Sequence, residues 1–197
     1  MRISLLCSLA ILVISSAAYP QTREVDVPTE IKPFVEEGSK AIFYKAGDLN
    51  GDGKQDAVLV IERADPPNKD KYDYPIDQRP LLILVRGTDQ KLTEAARNDR
   101  VVMCSSCGGM MGDPFLEIEV DTKTFSVNNE GGSAWRWGVY YQFNYSRIDN
   151  TWQLVRLTKT SFNSLDAGKT AKKKVLTPRQ FGKINFADLD PSKFEKS

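Results

Sequence analysis

Apolar and polar positions alternate with a period of two along much of this chain, which predicts β-strands rather than helices. The longest such run covers residues 133–147. Trp135, Trp137, Val139, Tyr141, Phe143 and Tyr145 share one face, and Arg136, Gly138, Tyr140, Gln142 and Asn144 share the other. After a turn at Asp149 and Asn150, residues 151–157 predict its antiparallel partner. Residues 115–120 also alternate, with Leu116, Ile118 and Val120 opposite Glu117 and Glu119, and Phe125 and Val127 continue the pattern until Gly131 and Gly132 break it. Residues 57–61 and 81–85 are apolar at every position, which predicts strands buried on both faces. Shorter strands are expected over residues 40–45 and 91–96, the second despite alanines that would also suit a helix.

Helix signals are confined to the two ends. Residues 28–35 suit one or two turns, with Pro28 in the first turn and Gly38 as a stop, and Pro33 forbids a longer helix. Residues 177–181 suit another short helix. Strands that follow one another in sequence usually pair in space. The pattern therefore predicts a mainly β protein, an antiparallel meander forming a curved sheet, a barrel or a partial propeller-like domain, with short terminal helices.

Residues 1–18 break this pattern. Arg2, an apolar stretch over 5–14 and the small residues Ser16, Ala17 and Ala18 have the layout of a secretory signal peptide, with cleavage expected before Tyr19. The stretch is shorter than the roughly 20 apolar residues of a membrane span, and none of that length follows. Residues 19–197 are expected to form a single β-rich domain with a long, proline-containing loop at 63–80, exported to the periplasm or secreted. The sequence has 27 basic and 26 acidic residues. Removing Arg2 with the leader balances them, which is not the footprint of a nucleic-acid-binding protein. There is no histidine, so the commonest general base and transition-metal ligand is missing.

The most informative chemistry lies at residues 47–56, between two predicted strands. Asp48, Asn50, Asp52 and Asp56 alternate with spacers, and Gly51 and Gly53 supply turn flexibility. Calcium takes several oxygen ligands at about 2.3–2.6 Å in a loose cage. Asp48, Asn50 and Asp52 stand at loop positions one, three and five, Lys54 would offer its backbone carbonyl, and Asp56 would close the cage. The twelfth position is Leu59, where a helix–loop–helix calcium site needs a bidentate glutamate. The other reading is an Asx- and Gly-rich turn held by its own hydrogen bonds. Over about residues 43–61 the Asp-x-Asx-x-Asp-Gly-x-x-Asp spacing between strands resembles the calcium loop of integrin-type FG-GAP and VCBS repeats. That resemblance implies calcium as cofactor, held by Asp48, Asn50, Asp52, the Lys54 carbonyl and Asp56. Taken whole, the chain resembles small exported bacterial proteins.

Cys104 and Cys107 remain after the leader is removed. In an exported protein such a pair is expected to form a disulfide. Zinc would need four ligands, which the cysteines and absent histidines cannot supply. A thiol–disulfide oxidoreductase would need a helix starting at the first cysteine, whereas Ser105, Ser106, Gly108 and Gly109 suggest a turn. The aromatic strand invites comparison with a sugar platform, but alternation assigns Trp135, Trp137, Tyr141 and Phe143 to the core, leaving Tyr140 and Trp152 as candidates for exposure. The lysines at 169 and 172–174 read as a solvated loop. The functional expectation is a non-enzymatic exported binding module with a structural calcium site, its partner an unknown protein or glycan of the cell envelope. The alternatives are an oxidoreductase using the cysteine pair and an envelope glycan-binding protein.

Overall fold

The computed structural model describes residues 24–63 and 79–194. The expected leader at 1–18 and nearly all of the loop at 63–80 lie outside the described residues. The protein is mainly β, and its described residues form nine strands in two antiparallel sheets, each a meander in chain order. The first sheet contains β1 (Lys40–Gly47), β2 (Asp56–Glu62), β3 (Arg79–Arg86) and β4 (Leu92–Val102). The second contains β5 (Phe115–Asp121), β6 (Thr124–Gly132), β7 (Trp135–Ser146), β8 (Thr151–Asn163) and β9 (Lys172–Leu176). Of the architectures the pattern allowed, the closed barrel is not the one formed. Among the described residues helix is limited to short turns, including α1 (Ala167–Thr170) and α2 (Pro178–Phe181), and no helix is long and apolar enough to cross a membrane.

The uninterrupted apolar runs do what their composition predicts. In β2 and β3, Val58, Val60, Leu81 and Ile83 face the second sheet, where they join Val127, Tyr141, Phe143, Leu154 and Leu157 in the main core. Ala57, Leu59, Ile61, Leu82 and Leu84 face the other way, and Val27 and Ile31 from the N-terminal segment cover them. Ile31 is fully buried, so Ile31→Ala should cost about 2–5 kcal/mol, read as a shift in the urea midpoint. The C-terminal segment closes the main core with Phe186, Leu189 and Phe194. Buried Asn98 pins it, donating to the Phe186 and Leu189 carbonyls at 2.6 and 3.0 Å.

Three local expectations change. Strand β6 runs through Gly131 to Gly132 instead of breaking there. At Gly131 the absence of a side chain serves a close approach, because a Cβ would meet Trp137 Cζ2 at 2.4 Å. The lysine run over 172–174 is not a loop but the start of edge strand β9, paired with β8. Lysine is common on edge strands, where its charge discourages pairing with another chain, and a strand exposed on both faces has no apolar alternation to reveal it. The third change concerns the aromatics. Tyr141 and Phe143 are buried as alternation predicts, but Trp135 is 54% exposed and Trp152 is only 2% exposed.

A closed ring of ion pairs braces the first sheet. Arg63 contacts Glu36 and Asp99 at 3.2 Å each, and Arg97 contacts the same two carboxylates at 2.6 and 2.7 Å. The Arg97 hydrogen bond, helped by Arg63 and opposed by partial burial, holds the Glu36 carboxyl below its ordinary pKa. A depressed folded-state pKa gives stability that is present above the unfolded-state value and is lost as pH falls through the folded one. Glu36→Gln should therefore lower the urea midpoint at neutral pH, and the difference from the unmodified protein should vanish in acid.

Candidate functional site

The loop singled out by sequence joins β1 to β2, and Gly47 and Asp56 form its closing antiparallel pair. Gly51 and Gly53 adopt φ of 78° and 83°, a region open to glycine at low cost. The loop wraps around the Asp48 carboxylate. Asp48 Oδ1 accepts from the backbone N–H groups of Gly51 and Asp52 at 2.7 and 3.1 Å, and Oδ2 from Gly53 at 3.1 Å. Asn50 Oδ1 accepts from Asp52 N–H at 2.9 Å, and Asp52 Oδ1 from Lys54 N–H at 2.9 Å. These bonds, chiefly the Lys54 backbone donor, hold Asp52 below its ordinary pKa.

Asp56 has a different environment. It is 1% exposed, and its two oxygens accept from Arg86 N–H at 2.9 Å and Leu49 N–H at 3.0 Å. Burial raises its pKa, the nearby charges of Asp52 and Asp48 push the same way, and the two backbone donors oppose them.

Sequence reasoning passed over the residues that make this loop structural. Leu49 is fully buried in the core between the sheets. Its carbonyl accepts from Trp152 Nε1 of β8 at 2.8 Å. The Asp48 carbonyl accepts from Lys123 N–H in the β5–β6 turn at 2.9 Å, and Lys123's aliphatic chain lies where a Gly51 side chain would be. A tip extending from the first sheet is thus anchored in the second. The one available signal was a leucine within an otherwise polar, glycine-rich loop.

The donor set fits a hard cation in type, since it consists of oxygens alone. Each carboxylate also offers about four lone-pair sites, so oxygens that accept one or two N–H bonds retain capacity. The arrangement is not a gathered cage. Among the described residues no three Asp, Glu or Cys side chains are placed together to hold a metal ion, and Lys54 Nζ sits 3.0 Å from Asp52 Oδ2. A cation would have to displace that ammonium and draw Asp52 inward.

Cys104 and Cys107 form a disulfide with a Cα–Cα distance of 5.2 Å. It closes a turn directly after β4, in which Cys107 N–H donates to Cys104 O at 3.1 Å. Cys104 is buried and no helix begins at it. The setting therefore lacks the helix N-terminus that lowers a thiol pKa in redox pairs. The following Gly108 carbonyl accepts from Gly132 N–H at 2.8 Å, tying this turn to the end of β6. So short a loop removes little chain entropy. Reduction should leave the melting temperature within a few degrees of the oxidised protein while speeding amide exchange over residues 104–112.

No family model matches the chain, and no curated protein matches it. Among solved structures it aligns with one described as the structure of a Xanthomonas type IV secretion system related protein. Identity is 14% and the TM-score 0.40, over 72% of this chain and 56% of that one. The present chain thus matches little more than half of that protein's length, and function must be argued from its own residues.

Proposed function

We propose that this protein is an exported, non-enzymatic binding module in which the β1–β2 loop takes one calcium ion as a fastener between the two sheets. The observation that carries the reading is the double nature of the loop. Its ligand-type oxygens follow the calcium spacing, and the same turn buries Leu49 in the second sheet and accepts the Trp152 indole hydrogen bond. The ion would be held by Asp48, Asn50, Asp52, the Lys54 carbonyl and Asp56. It would relieve repulsion among three carboxylates, of which Asp52 already faces the Lys54 ammonium at 3.0 Å. Export is supported by the leader-like start and by the paired cysteines. The binding-module reading is supported by the structural commitment of the partly buried charges, with Arg79, Glu62 and Asp113 in one cluster and Glu36, Arg63, Arg97 and Asp99 in another.

A ligand that binds only the native state stabilises it by about 4 kcal/mol at a thousandfold excess over Kd. Calcium should therefore raise the melting temperature, and magnesium, which demands stricter octahedral geometry, should raise it less. Asp52→Ala removes one carboxylate from the partly exposed rim of the loop and should abolish the calcium response while leaving the protein folded. An unchanged melting curve across millimolar calcium would sink the proposal.

A further inference from the structure

The inner face of the second sheet emerges from the core along its length. The row formed by Tyr141, Leu157 and Leu176 is buried. Two residues further along β7 comes the row of Val139, Lys159 and Lys174, then Trp137, Ser161 and Lys172. Side chains two apart on a strand share a face, so these rows continue the core face past the point where the first sheet covers it. The intervening row, Gly138, Thr160 and Lys173, turns its side chains outward. Between the two inward rows lies an open depression of about 490 Å³.

Its chemistry differs from that of the chain as a whole. Of its nine lining residues four are lysines and none is acidic, although the complete sequence has 27 basic and 26 acidic residues. Lys172 and Lys174 are exposed, and no salt bridge involves them among the described residues. Lys174 also stands directly across from Lys159, a like-charge pairing that costs stability. Lys159 turns its ammonium to the Phe194 carbonyl at 2.7 Å. Guarding an edge strand would be served by lysines on either face, yet two of the three fall on the face that carries the half-buried Trp137.

The indoles on this face are differently held. Trp137 is clamped, its ring lying where a Gly131 side chain would be, with Gly108 O also within 2.9 Å of that position. Trp135 extends the same face and is 54% exposed. A fixed aromatic plate loses little freedom on binding, and the C–H face of a pyranose ring is the apolar surface that suits it.

We propose that this depression is a docking surface for an acidic saccharide, with a sugar ring on Trp137 and its carboxylates on Lys172 and Lys174. The inference rests on the binding-module reading and names its ligand class, but it does not require the calcium loop.

The test uses the full chain, tetragalacturonate, its methyl ester and poly-L-glutamate, in chelator so that calcium bridging by the saccharide is excluded. Tetragalacturonate should bind, change tryptophan fluorescence and weaken with added salt. The methyl ester, which keeps the rings and removes the charge, should bind much more weakly. Lys172→Gln combined with Lys174→Gln alters only exposed positions and should weaken binding on the order of tenfold, within the range for two exposed ion pairs. Trp137→Ala should remove the fluorescence response, with its melting curve checked beside Trp135→Ala in case the clamped site loosens. Saccharide binding is read in chelator and the calcium effect as a shift in melting temperature, so failure of the one is distinguishable from failure of the other. Equal affinity for acid and ester, indifference to the lysine substitutions, or no binding would overturn the proposal. Equal or tighter binding of poly-L-glutamate without an indole signal would overturn it in favour of an acidic polypeptide along the β9 edge.

Discussion

Replacing Arg79 by alanine should destabilise the protein by about 3–5 kcal/mol, the range for breaking a buried ion pair from one side. Arg79 is 3% exposed. Its guanidinium donates from Nη1 and Nη2 to the two oxygens of Asp113 at 2.9 and 2.7 Å, and from Nη2 to Glu62 at 3.0 Å. Glu62 lies at the end of β2 and Asp113 just before β5, so one side chain ties the first sheet to the entry of the second. The cluster is also incompletely satisfied. Among the described residues Glu62 Oε2 and Arg79 Nε are buried without hydrogen-bond partners, which leaves no reserve when the cation is removed. Alanine would strand two carboxylates. Arg79→Lys should fall between, because lysine keeps the charge and loses the planar fork. Urea denaturation at neutral pH gives both values, and a loss under about 1 kcal/mol for alanine would show that water reaches the cluster and solvates the stranded carboxylates.

Trp152→Ala should have a comparable effect, about 3–5 kcal/mol for a fully buried aromatic, or roughly 10 °C in melting temperature for a chain of this size. The indole packs beside Tyr145 with ring centroids 5.2 Å apart, and its N–H holds the Leu49 carbonyl. The two contributions separate in Trp152→Phe, which keeps most of the apolar body and leaves that buried carbonyl without its donor. The expected cost of the phenylalanine variant is about 1–3 kcal/mol. If the β1–β2 loop is a calcium fastener, Trp152→Ala should also weaken calcium binding, because the loop's anchorage and its ion would stabilise the same turn. Unaltered calcium affinity in a destabilised Trp152→Ala protein would separate the anchor from the ion site.

The tryptophans mark where sequence reasoning stops. Alternation along 133–147 correctly assigns Trp135 and Trp137 to the same face as Tyr141 and Phe143, since it reports only direction relative to the sheet. How far along that face the opposing sheet reaches is not written in β7. The cover comes from β2, β3 and the C-terminal segment, and it ends near Tyr141, so the same periodic face is core at one end and surface at the other. Trp152 follows the opposite course. Its neighbours Thr151 and Gln153 gave no strong pattern, and in the core between the sheets its N–H is met by Leu49, a residue 103 positions away in sequence.

What the sequence by itself determined is what local sterics and short-range chemistry control. The β class and meander order follow from period-two alternation and turn residues. Two-sided burial of β2 and β3 follows from runs without a polar position, and the disulfide turn follows from two cysteines separated by two residues. The loop at 48–56 declared its own turn, because Asx side chains and glycines satisfy the backbone within a few residues. Only the tertiary structure decided the division into two sheets, the anchoring of that loop through Leu49, the ion ring and the Arg79 cluster, and the strand character of the lysine run. It also decided which part of an aromatic face is left open beside those lysines. Each of these depends on partners distant in sequence, and a pattern read along one strand contains no record of where the opposing layer ends.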